Sequence, residues 1–282
     1  MSANIKDVAA VVCTFNSEAN IGKVLASLKD NFIEEIIVVD AASEDKSVEI
    51  ARQYTNLIFQ DPREGLAKAR NIGITEVTKK YTLNVGSDNI MPEGSIFSML
   101  DYMIKNNYSG VSAQTLLKSD KITYLSFAMN IYKQLRYYPG ERNVIGTPSL
   151  FETKLLKENP FDNKMSWSDD GDLCTRLRAE GHRFAIADST VYEIGSESIS
   201  SIIIRWKGYG KSDWETYSKY SVNWSFSRKL QSILHPLKNE LFLPMIKARL
   251  VDKIRIFPFL LFITFLRYSS WIRWSITSKH ND

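Results

Sequence analysis

The feature that most constrains this fold is an alternation, in the first half of the chain, between short apolar runs and helix-like stretches. The apolar runs lie at 8–12, 36–40 and 81–85, and the segments between them include helical patterns at 19–30 and 65–78. The first two runs are rich in valine and isoleucine and lack polar alternation, which is typical of parallel strands covered on both faces. The pattern therefore predicts an α/β fold with a mostly parallel sheet flanked by helices.

Composition adds that the chain is an ordinary globular protein. Of its 282 residues, 44% are apolar and 24% are charged, which is enough to build a substantial core. Its two cysteines, Cys13 and Cys174, have no partners at metal-ligand spacing. The N-terminal residues lack the basic region and long apolar core of a secretory signal. We therefore expect a cytoplasmic protein that begins with its first domain.

The C-terminal residues 236–282 have a different character from the rest. They contain eight Lys or Arg against three Asp or Glu, in a chain whose formal net charge is +4. Their centre, at 256–266, is an apolar run of eleven residues, whereas a spanning helix needs about 20. Aromatic residues recur at every third position from Phe259 to Trp274, so on a helix they wrap around the axis instead of forming one stripe.

This combination of basic and aromatic residues predicts a helical, membrane-associated tail at the inner face of the cell membrane. A nucleic-acid binder would carry its basic patch on the folded domain, so nucleic acid is not expected as a partner. The alternative is a helix that packs on the preceding domain or on a second subunit.

Small polar and acidic residues follow the predicted strands, at the edge where open α/β sheets bind their ligands. They occupy 13–16 after the first strand, Asp40 after the second and 86–88 after the strand at 81–85. The Asp40 carboxylate can accept a ring N–H of a pyrimidine or guanine base. Alternatively, it only caps the helix that follows.

A further acidic group, at 168–172, opens a predicted helix. Acids at a helix N-terminus are stabilised by the helix dipole. One carboxylate in such a position also suffices as a general base for transfer to a hydroxyl group. Both roles are compatible with the sequence.

Four segments, in this order, resemble family 2 glycosyltransferases of the GT-A fold, and the resemblance extends over residues 7–195. The segments are CTFN at 13–16, VVDAASED at 38–45, GLAKARNIGI at 65–74 and DDGDLCTRLRAEGHRF at 169–184. The resemblance implies an enzyme that moves a sugar from a nucleotide-sugar donor to an acceptor hydroxyl with inversion at the anomeric carbon. Together with the tail, it favours a lipid-linked saccharide or surface polysaccharide as the acceptor.

The same resemblance implies a domain order. Residues 1–195 are expected to form the catalytic domain, with a nucleotide-sugar half at 1–92 and an acceptor half at 93–195. A helical extension at 196–235 then precedes the basic and aromatic tail at 236–282.

The resemblance also assigns roles to individual residues. Asp170 matches the family's base, and Asp169 stands where the family has glutamate. Trp167 and Asp172 are expected on the acceptor side, although core packing is an equal expectation for Trp167. The residues implied in nucleotide binding are Thr14, Phe15, Asn16, Asp40, Arg70, Ser87 and Asp88.

For Arg70, two roles stay open. It lies on a predicted helix beside the expected diphosphate, where its charge can neutralise a phosphate group. Alternatively, it pairs with a carboxylate.

Two departures from the family bear on its metal. Where the family has Asp-x-Asp, this chain has Gly86-Ser87-Asp88, and where many members have a histidine after the last strand, it has Glu193. Asp88 and Glu193 are therefore the expected protein ligands, and oxygen-only ligation favours Mn²⁺ or Mg²⁺.

Two other functions compete with the transferase. A sugar nucleotidyltransferase shares the fold but carries a Gly-rich, basic turn after its first strand, which residues 14–17 do not resemble. A catalytically inactive relative that binds a glycan or a partner protein is supported by Gly86 in place of an aspartate.

Overall fold

The computed structural model describes residues 3–119, 121–195 and 198–277. The chain divides into two compact units. Unit 1 comprises Met1–Lys118 and Tyr137–Gly195, and unit 2 comprises Ser119–Arg136 and Ser196–Asp282. Residues 119–136, which the sequence assigned to the acceptor half, thus group with the C-terminal helices. The finer division into nucleotide and acceptor halves stays a prediction.

Unit 1 is built on a single mixed sheet. Its described strands are β1 (Val8–Thr14), β2 (Glu35–Asp40), β3 (Ile58–Gln60), β4 (Tyr81–Gly86), β5 (Asn89–Ile90), β6 (Gly110–Lys118), β7 (Gly140–Arg142), β8 (Ser149–Glu152) and β9 (Phe184–Ile194). Their order is β3-β2-β1-β4-β8-β6-β9-β5, with β7 paired to β9. β1 to β4 are mutually parallel and so are β6 and β9, whereas β8 runs antiparallel to both of its neighbours.

Helices cover both faces of this sheet. They are α1 (Ile21–Asp30), α2 (Ser47–Ala51), α3 (Leu66–Glu76), α4 (Ser95–Lys105), α6 (Thr153–Glu158) and α7 (Asp169–Ala179). Val8, Ala10 and Val12 of β1 belong to the core cluster that includes α1 and α4, whereas Ala9 and Val11 belong to the cluster of α3. Both faces of β1 are therefore buried, and the predicted α/β fold is confirmed.

Gly73 brings α3 directly onto β1. A Cβ atom at this position would lie 2.4 Å from Val11 Cγ1, which is too close for any side chain without a shift of the helix. This contact fixes how far α3 stands above the sheet, and with it the position of Arg70 on the preceding turn.

The register brings three strand ends together. Thr14 pairs with Asp40 and Cys13 pairs with Gly86, so the carboxyl ends of β1, β2 and β4 share one edge of the sheet. The polar segments that follow these strands accordingly meet there, as the α/β fold predicts.

Unit 2 is helical. Its described elements are α5 (Tyr124–Arg136), α8 (Ile199–Tyr220), α9 (Phe226–Pro236), a π-helical segment (Leu237–Phe242), α10 (Leu243–Lys247) and α11 (Leu250–Thr277). The stretch at 121–139, in which the sequence pattern indicated no clear element, contributes α5. Among the described residues, no helix is both long and apolar enough to cross a membrane.

The core of unit 2 combines aromatic and charged groups. Arg267 Nε lies 2.6 Å from Asp213 Oδ2, and the same guanidinium also pairs with the buried Glu240. Phe259 packs edge-on against Tyr132 and against Trp206. α11 is therefore held in the unit by a buried ion cluster as well as by apolar contacts.

Candidate active site

The turn after β2 is organised around Asp40. Its Oδ2 accepts a hydrogen bond from Ser43 N at 2.9 Å and its Oδ1 accepts one from Ser43 Oγ at 2.5 Å. Asn16 joins the same turn, since its backbone N donates to Ser43 Oγ and its side-chain oxygen accepts from Glu44 N. Asp40 thus makes contacts within the turn that precedes the next helix, which resembles the local capping role considered from the sequence. Its contact with a nucleobase stays a prediction.

Arg63 lines a cleft at this edge of the sheet, and Phe15 is its neighbour. Half of the Phe15 side chain is exposed, and the Arg63 guanidinium lies 4.6 Å from the centre of its ring. Arg63 also donates to the carbonyl oxygens of Ala41 and Ala42, at 2.9 and 2.7 Å. It therefore ties the loop before α3 to the turn after β2.

The cleft beside them has a volume of about 570 Å³. Its lining residues are Ala42, Glu44, Gln60, Asp61, Pro62 and Arg63. Thr14 Oγ1, at the end of β1, is buried and has no hydrogen-bond partner among the described residues. A cleft of this size, with both polar and apolar lining residues, fits a planar group that has polar edges.

The end of β4 shows why glycine stands at position 86. A Cβ atom there would lie 2.7 Å from Asp88 Oδ1 and 2.9 Å from Asn89 Oδ1. The Asp88 and Asn89 side chains therefore occupy the space into which a carboxylate at 86 would project. Ser87 Oγ lies 2.9 Å from Ser17 Oγ, which links this turn to the end of β1.

Glu193 lies next to this turn in the sheet. It pairs with Asn89 in the ladder between β5 and β9, and Ile194 N donates to Asp88 O at 2.8 Å. Among the residues that the structure describes, no group of three or more His, Cys, Asp or Glu side chains is arranged to hold a metal ion. Any cation here would therefore take most of its ligands from the substrate, as Mg²⁺ commonly does.

A buried ion cluster joins α3 to the start of α7. Arg70 Nη1 lies 2.5 Å from Asp169 Oδ2 and 2.9 Å from Asp170 Oδ1, and Arg70 Nη2 donates to Thr147 Oγ1. Arg70 is 4% exposed, and its guanidinium lies 5.1 Å from the Phe161 ring centre. This is the carboxylate pairing that the sequence left open for Arg70, and it gives no support to phosphate binding.

The two carboxylates of this cluster are not equivalent. The Asp169 side chain is 7% exposed, whereas that of Asp170 is 26% exposed. The pKa of Asp170 is raised to about 7, because burial and the Asp169 charge together outweigh the opposing effect of Arg70. One guanidinium is thus shared by two acids, so the pair retains a proton near neutral pH.

Asp170 has the properties of a general base. It combines a pKa near the working pH of most enzymes with an exposed edge, whereas Asp169 faces inward. Gly146 leaves room beside it, since a Cβ atom there would already contact Asp170 Oδ2 at 3.7 Å. Asp169 is positioned to hold Arg70.

Asp172 and Trp167 differ in exposure. Asp172 is fully buried and accepts a hydrogen bond from Arg176 Nε at 2.9 Å. This position favours a structural role within α7 over contact with an acceptor. Trp167 is 43% exposed immediately before α7, so the role predicted for it on the acceptor side is sterically open.

Two residues of the site were missed by sequence reasoning. Thr147 lies between β7 and β8 in a segment held by Ser112, whose Oγ donates to Gly146 O at 2.9 Å. Neither its residue type nor its spacing marks it as a partner of Arg70. For Arg63 the sequence offered a weak indication of a place in the site, because this residue immediately precedes the Glu64-Gly65 pair before α3.

Comparison with known proteins defines the class. Residues 9–158 match glycosyl transferase family 2. This match spans more than half of the 282 residues. The chain belongs to that family.

Relatives agree with this class. An uncharacterized glycosyltransferase of Rickettsia conorii is 25% identical over 243 residues, which cover 78% of this chain and 39% of the relative. An uncharacterized glycosyltransferase of Haemophilus influenzae is 26% identical over 143 residues, covering 44% of this chain and 57% of the relative. The cholesterol galactosyltransferase of Borreliella burgdorferi is 33% identical over 86 residues, covering 27% of this chain and 23% of the relative. The chain thus spans less than two thirds of the length of each of these proteins.

Solved structures share the fold. TarS of S. aureus in complex with UDP-GlcNAc superposes with a TM-score of 0.54 at 15% identity, covering 94% of this chain and 89% of that one. GalNAc-T7 with UDP, GalNAc and Mn²⁺ gives a TM-score of 0.54 at 13% identity, covering 68% of this chain and 43% of that one. At such identities the likeness shows a GT-A-like fold and nothing finer.

Proposed function

We propose that this protein is an inverting glycosyltransferase that moves a hexose-type sugar from a nucleoside diphosphate donor to an acceptor hydroxyl. The observation that carries the proposal is Asp170, a partly exposed carboxylate whose pKa is raised to about 7. A group with that pKa is ionised often enough to accept a proton and basic enough to take it.

The reaction needs one base and one leaving group. Asp170 removes the proton from the acceptor hydroxyl as that oxygen bonds to C1 of the sugar. The bond from C1 to the donor's diphosphate oxygen breaks, and its electron pair leaves with the nucleoside diphosphate. Because the acceptor attacks the face opposite the leaving group, the anomeric configuration inverts.

The donor site follows from the edge of the sheet. The cleft that Arg63 lines is of a size and polarity to take a nucleobase. In this proposal the ribose and diphosphate lie against the adjoining ends of β1, β2 and β4. UDP in the TarS and GalNAc-T7 structures supports a nucleoside diphosphate in this fold.

A divalent cation is part of the proposal. The chain offers it the hard oxygen ligand of Asp88 and, across the β5–β9 ladder, Glu193. When bound, the cation would neutralise charge on the departing diphosphate. Mn²⁺ in the GalNAc-T7 structure supports such a role in this fold.

The acceptor is proposed to be a lipid-linked saccharide or a growing surface polysaccharide. The support comes from unit 2, whose C-terminal helices expose basic and apolar residues together. A location at the inner face of the cell membrane would bring such an acceptor to the enzyme.

A catalytically inactive, ligand-binding relative is the second candidate. Gly86 favours it, as does the lack, among the described residues, of three or more His, Cys, Asp or Glu side chains arranged to hold a metal ion. Unlike the transferase, such a protein would bind a nucleotide without turning over any donor. A nucleotidyltransferase, the third candidate considered from the sequence, has no observation in the structure that favours it.

A thermal-shift screen followed by a turnover assay tests the proposal. We expect one of UDP, GDP, dTDP or CMP to raise the melting temperature, and to do so more strongly with Mn²⁺, since ligands that bind only the native state stabilise it. The matching sugar nucleotide should then be consumed when acceptor is present. Binding without consumption over a broad donor panel would favour the inactive relative, and no binding at all would contradict a nucleotide site.

A further inference from the structure

One helix of unit 2 has two separate apolar faces. The first face of α11 packs inside the unit through Ile256, Phe259, Leu260 and Ile263, each no more than 2% exposed. The second face carries large apolar side chains that are 41% to 74% exposed. They are Leu250, Ile254, Phe257, Leu261, Phe265, Ile272 and Ile276.

The second face is a continuous stripe, which we name the α11 stripe. Its residues are separated by three, four or seven positions, so at 3.6 residues per turn they fall within a sector about 100° wide. A helix that already buries one apolar face usually presents polar residues to water on the other. An exposed apolar stripe of this length therefore marks an interaction surface.

Basic side chains flank the stripe. Arg255 and Arg273 lie along one margin of it, and Lys247 and Arg249 lie just before its start, all of them exposed. Of the acids of the same region, Glu240 is buried against Arg267, and Asp252 pairs with Arg249 at 3.5 Å and so offsets its charge. The exposed charge around the stripe is positive because of Lys247, Arg255 and Arg273.

α9 also carries an exposed apolar row. Phe226, Leu230 and Leu234 follow one another at four-residue intervals and are 82%, 45% and 44% exposed. Two helices of unit 2 thus present apolar rows to solvent.

We propose that the α11 stripe is an anionic lipid-binding surface, along which α11 lies in the plane of the bilayer interface with Arg255 and Arg273 at the headgroups. These residues would bring the enzyme to a membrane-bound acceptor. The inference rests on the proposed function only in that the acceptor lies at the membrane. An amphipathic helix with basic margins binds in this way because the apolar face enters the acyl boundary while the cations meet anionic lipid.

A second copy of this chain is the competing occupant. In a symmetric pair, the same patch meets itself. Pairing through the stripe would bring its positively charged margins near one another without acids to neutralise them. The charge pattern therefore favours lipid over a second copy.

Point variants are the appropriate test, because deletion of α11 would also remove its buried Ile256, Phe259, Leu260 and Ile263 and so uncover the core that they pack against. The triple variant Ile254→Ser, Leu261→Ser, Phe265→Ser changes only exposed positions of the stripe. The matched control is Leu57→Ser, Phe97→Ser, which changes exposed apolar residues of unit 1 (42% and 48% exposed).

Full-length protein is sedimented with vesicles of phosphatidylcholine alone or mixed with phosphatidylglycerol. We expect wild type and control to bind the anionic vesicles more tightly than the neutral ones. The triple variant should bind at least about tenfold more weakly, because it loses apolar side chains that would be buried in lipid. Arg255→Gln, Arg273→Gln should weaken binding to anionic vesicles and reduce its dependence on salt.

Equal vesicle binding by wild type and triple variant would overturn the proposal. The proposal would also be overturned if the wild-type protein does not bind vesicles but forms a dimer, and the triple variant is a monomer. The stripe would then bind a second copy of the chain. Nucleotide-induced thermal shifts should be the same in all variants. They report whether the variants are folded and test the donor site separately, so vesicle binding without transferase activity would contradict only the proposed function.

Discussion

Arg70 Nη1 lies 2.9 Å from Asp170 Oδ1, although the two residues are 100 positions apart in the chain. Asp169 takes the other contact of the same nitrogen, at 2.5 Å. The guanidinium and the neighbouring carboxylate thus act on Asp170 in opposite directions, since Arg70 favours its ionised form and Asp169 disfavours it.

Replacing these two neighbours should move the pH profile of transfer in opposite directions. Asp169→Asn removes a like charge, so the acidic limb of kcat/KM, which reports ionisation of Asp170, should move to lower pH. Arg70→Gln removes the compensating charge, so the limb should move to higher pH. The profile is measured with saturating metal at constant ionic strength.

Lys154→Gln serves as the control, because Lys154 lies in an exposed ion pair with Glu158 on α6. It should leave the limb unchanged. Shifts of the same sign in Asp169→Asn and Arg70→Gln would contradict the arrangement. If Arg70→Gln does not fold, the Asp169→Asn shift decides alone.

The raised pKa of Asp170 also predicts how stability depends on pH. The native carboxyl holds its proton up to about pH 7, whereas the unfolded one loses it near its ordinary value of 3.8. Between these values the native state binds more protons than the unfolded state, so the contribution of Asp170 to stability falls as pH rises.

Asp170→Asn should remove this dependence. The free energy of unfolding of the variant, relative to wild type, should therefore rise from about pH 4 to pH 8, with each pKa unit corresponding to about 1.4 kcal/mol. Urea denaturation at a series of pH values measures it, with Asp101→Asn as the control, since Asp101 is half-buried on α4 and pairs with Lys105. A difference that stays flat over this range would mean that Asp170 titrates normally.

The cation site makes a third prediction. Asp88→Ala and Glu193→Ala should each raise the metal concentration needed for half-maximal rate, because each removes a hard oxygen ligand. Glu152→Ala, on β8, is the control. A Glu193→Ala variant with unaltered metal dependence would remove Glu193 from the site.

Gly86→Ala tests the packing of the same turn without changing any charge. The added Cβ would meet Asp88 Oδ1 at 2.7 Å, so Asp88 must shift. The metal concentration for half-maximal rate should therefore rise in this variant as well. An unchanged value would show that the position of Asp88 is unimportant.

Arg63 and Phe15 make a fourth prediction. Arg63→Lys keeps the positive charge but loses the planar guanidinium group. That group donates to Ala41 O and Ala42 O and covers the Phe15 ring. The Kd of the cognate nucleotide should rise about fivefold, the scale of one exposed cation–π contact. Calorimetry measures it, with Arg52→Lys as the control. An unchanged Kd would mean that the cleft beside Phe15 does not hold the base.

The sequence predicts a feature well when residues close together in the chain determine it, and poorly when residues far apart in the chain do. β1 and β2 are nearly continuous apolar runs and β4 is a short strand-like run, so local pattern sufficed for them and for the polar ends that meet at one edge. The pairing of Arg70 with Asp170 is a tertiary contact between two helices that are distant in the chain, and no periodicity reports it. The burial of Asp172 was hidden for the same reason, because an acidic first turn looks alike whether it faces solvent or Arg176.

α11 illustrates a second limit. The three-residue spacing of its aromatics correctly predicted that they lie on different sides, with Phe259 buried and Phe265 exposed. The α11 stripe was overlooked, because in a run that is apolar on all sides only the packing partners distinguish an inner face from an outer one.

The central claim is that Asp170 is the base of an inverting transfer, and the product of wild type and of Asp170→Asn tests it most directly. With the cognate donor and an acceptor, proton NMR of the wild-type product should give an anomeric configuration opposite to that of the donor. Asp170→Asn should bind the nucleotide with unchanged Kd while its kcat falls by about 100-fold or more, the scale of a lost general base. A product that retains the donor's configuration, or a variant that transfers at close to the wild-type rate, would contradict the account.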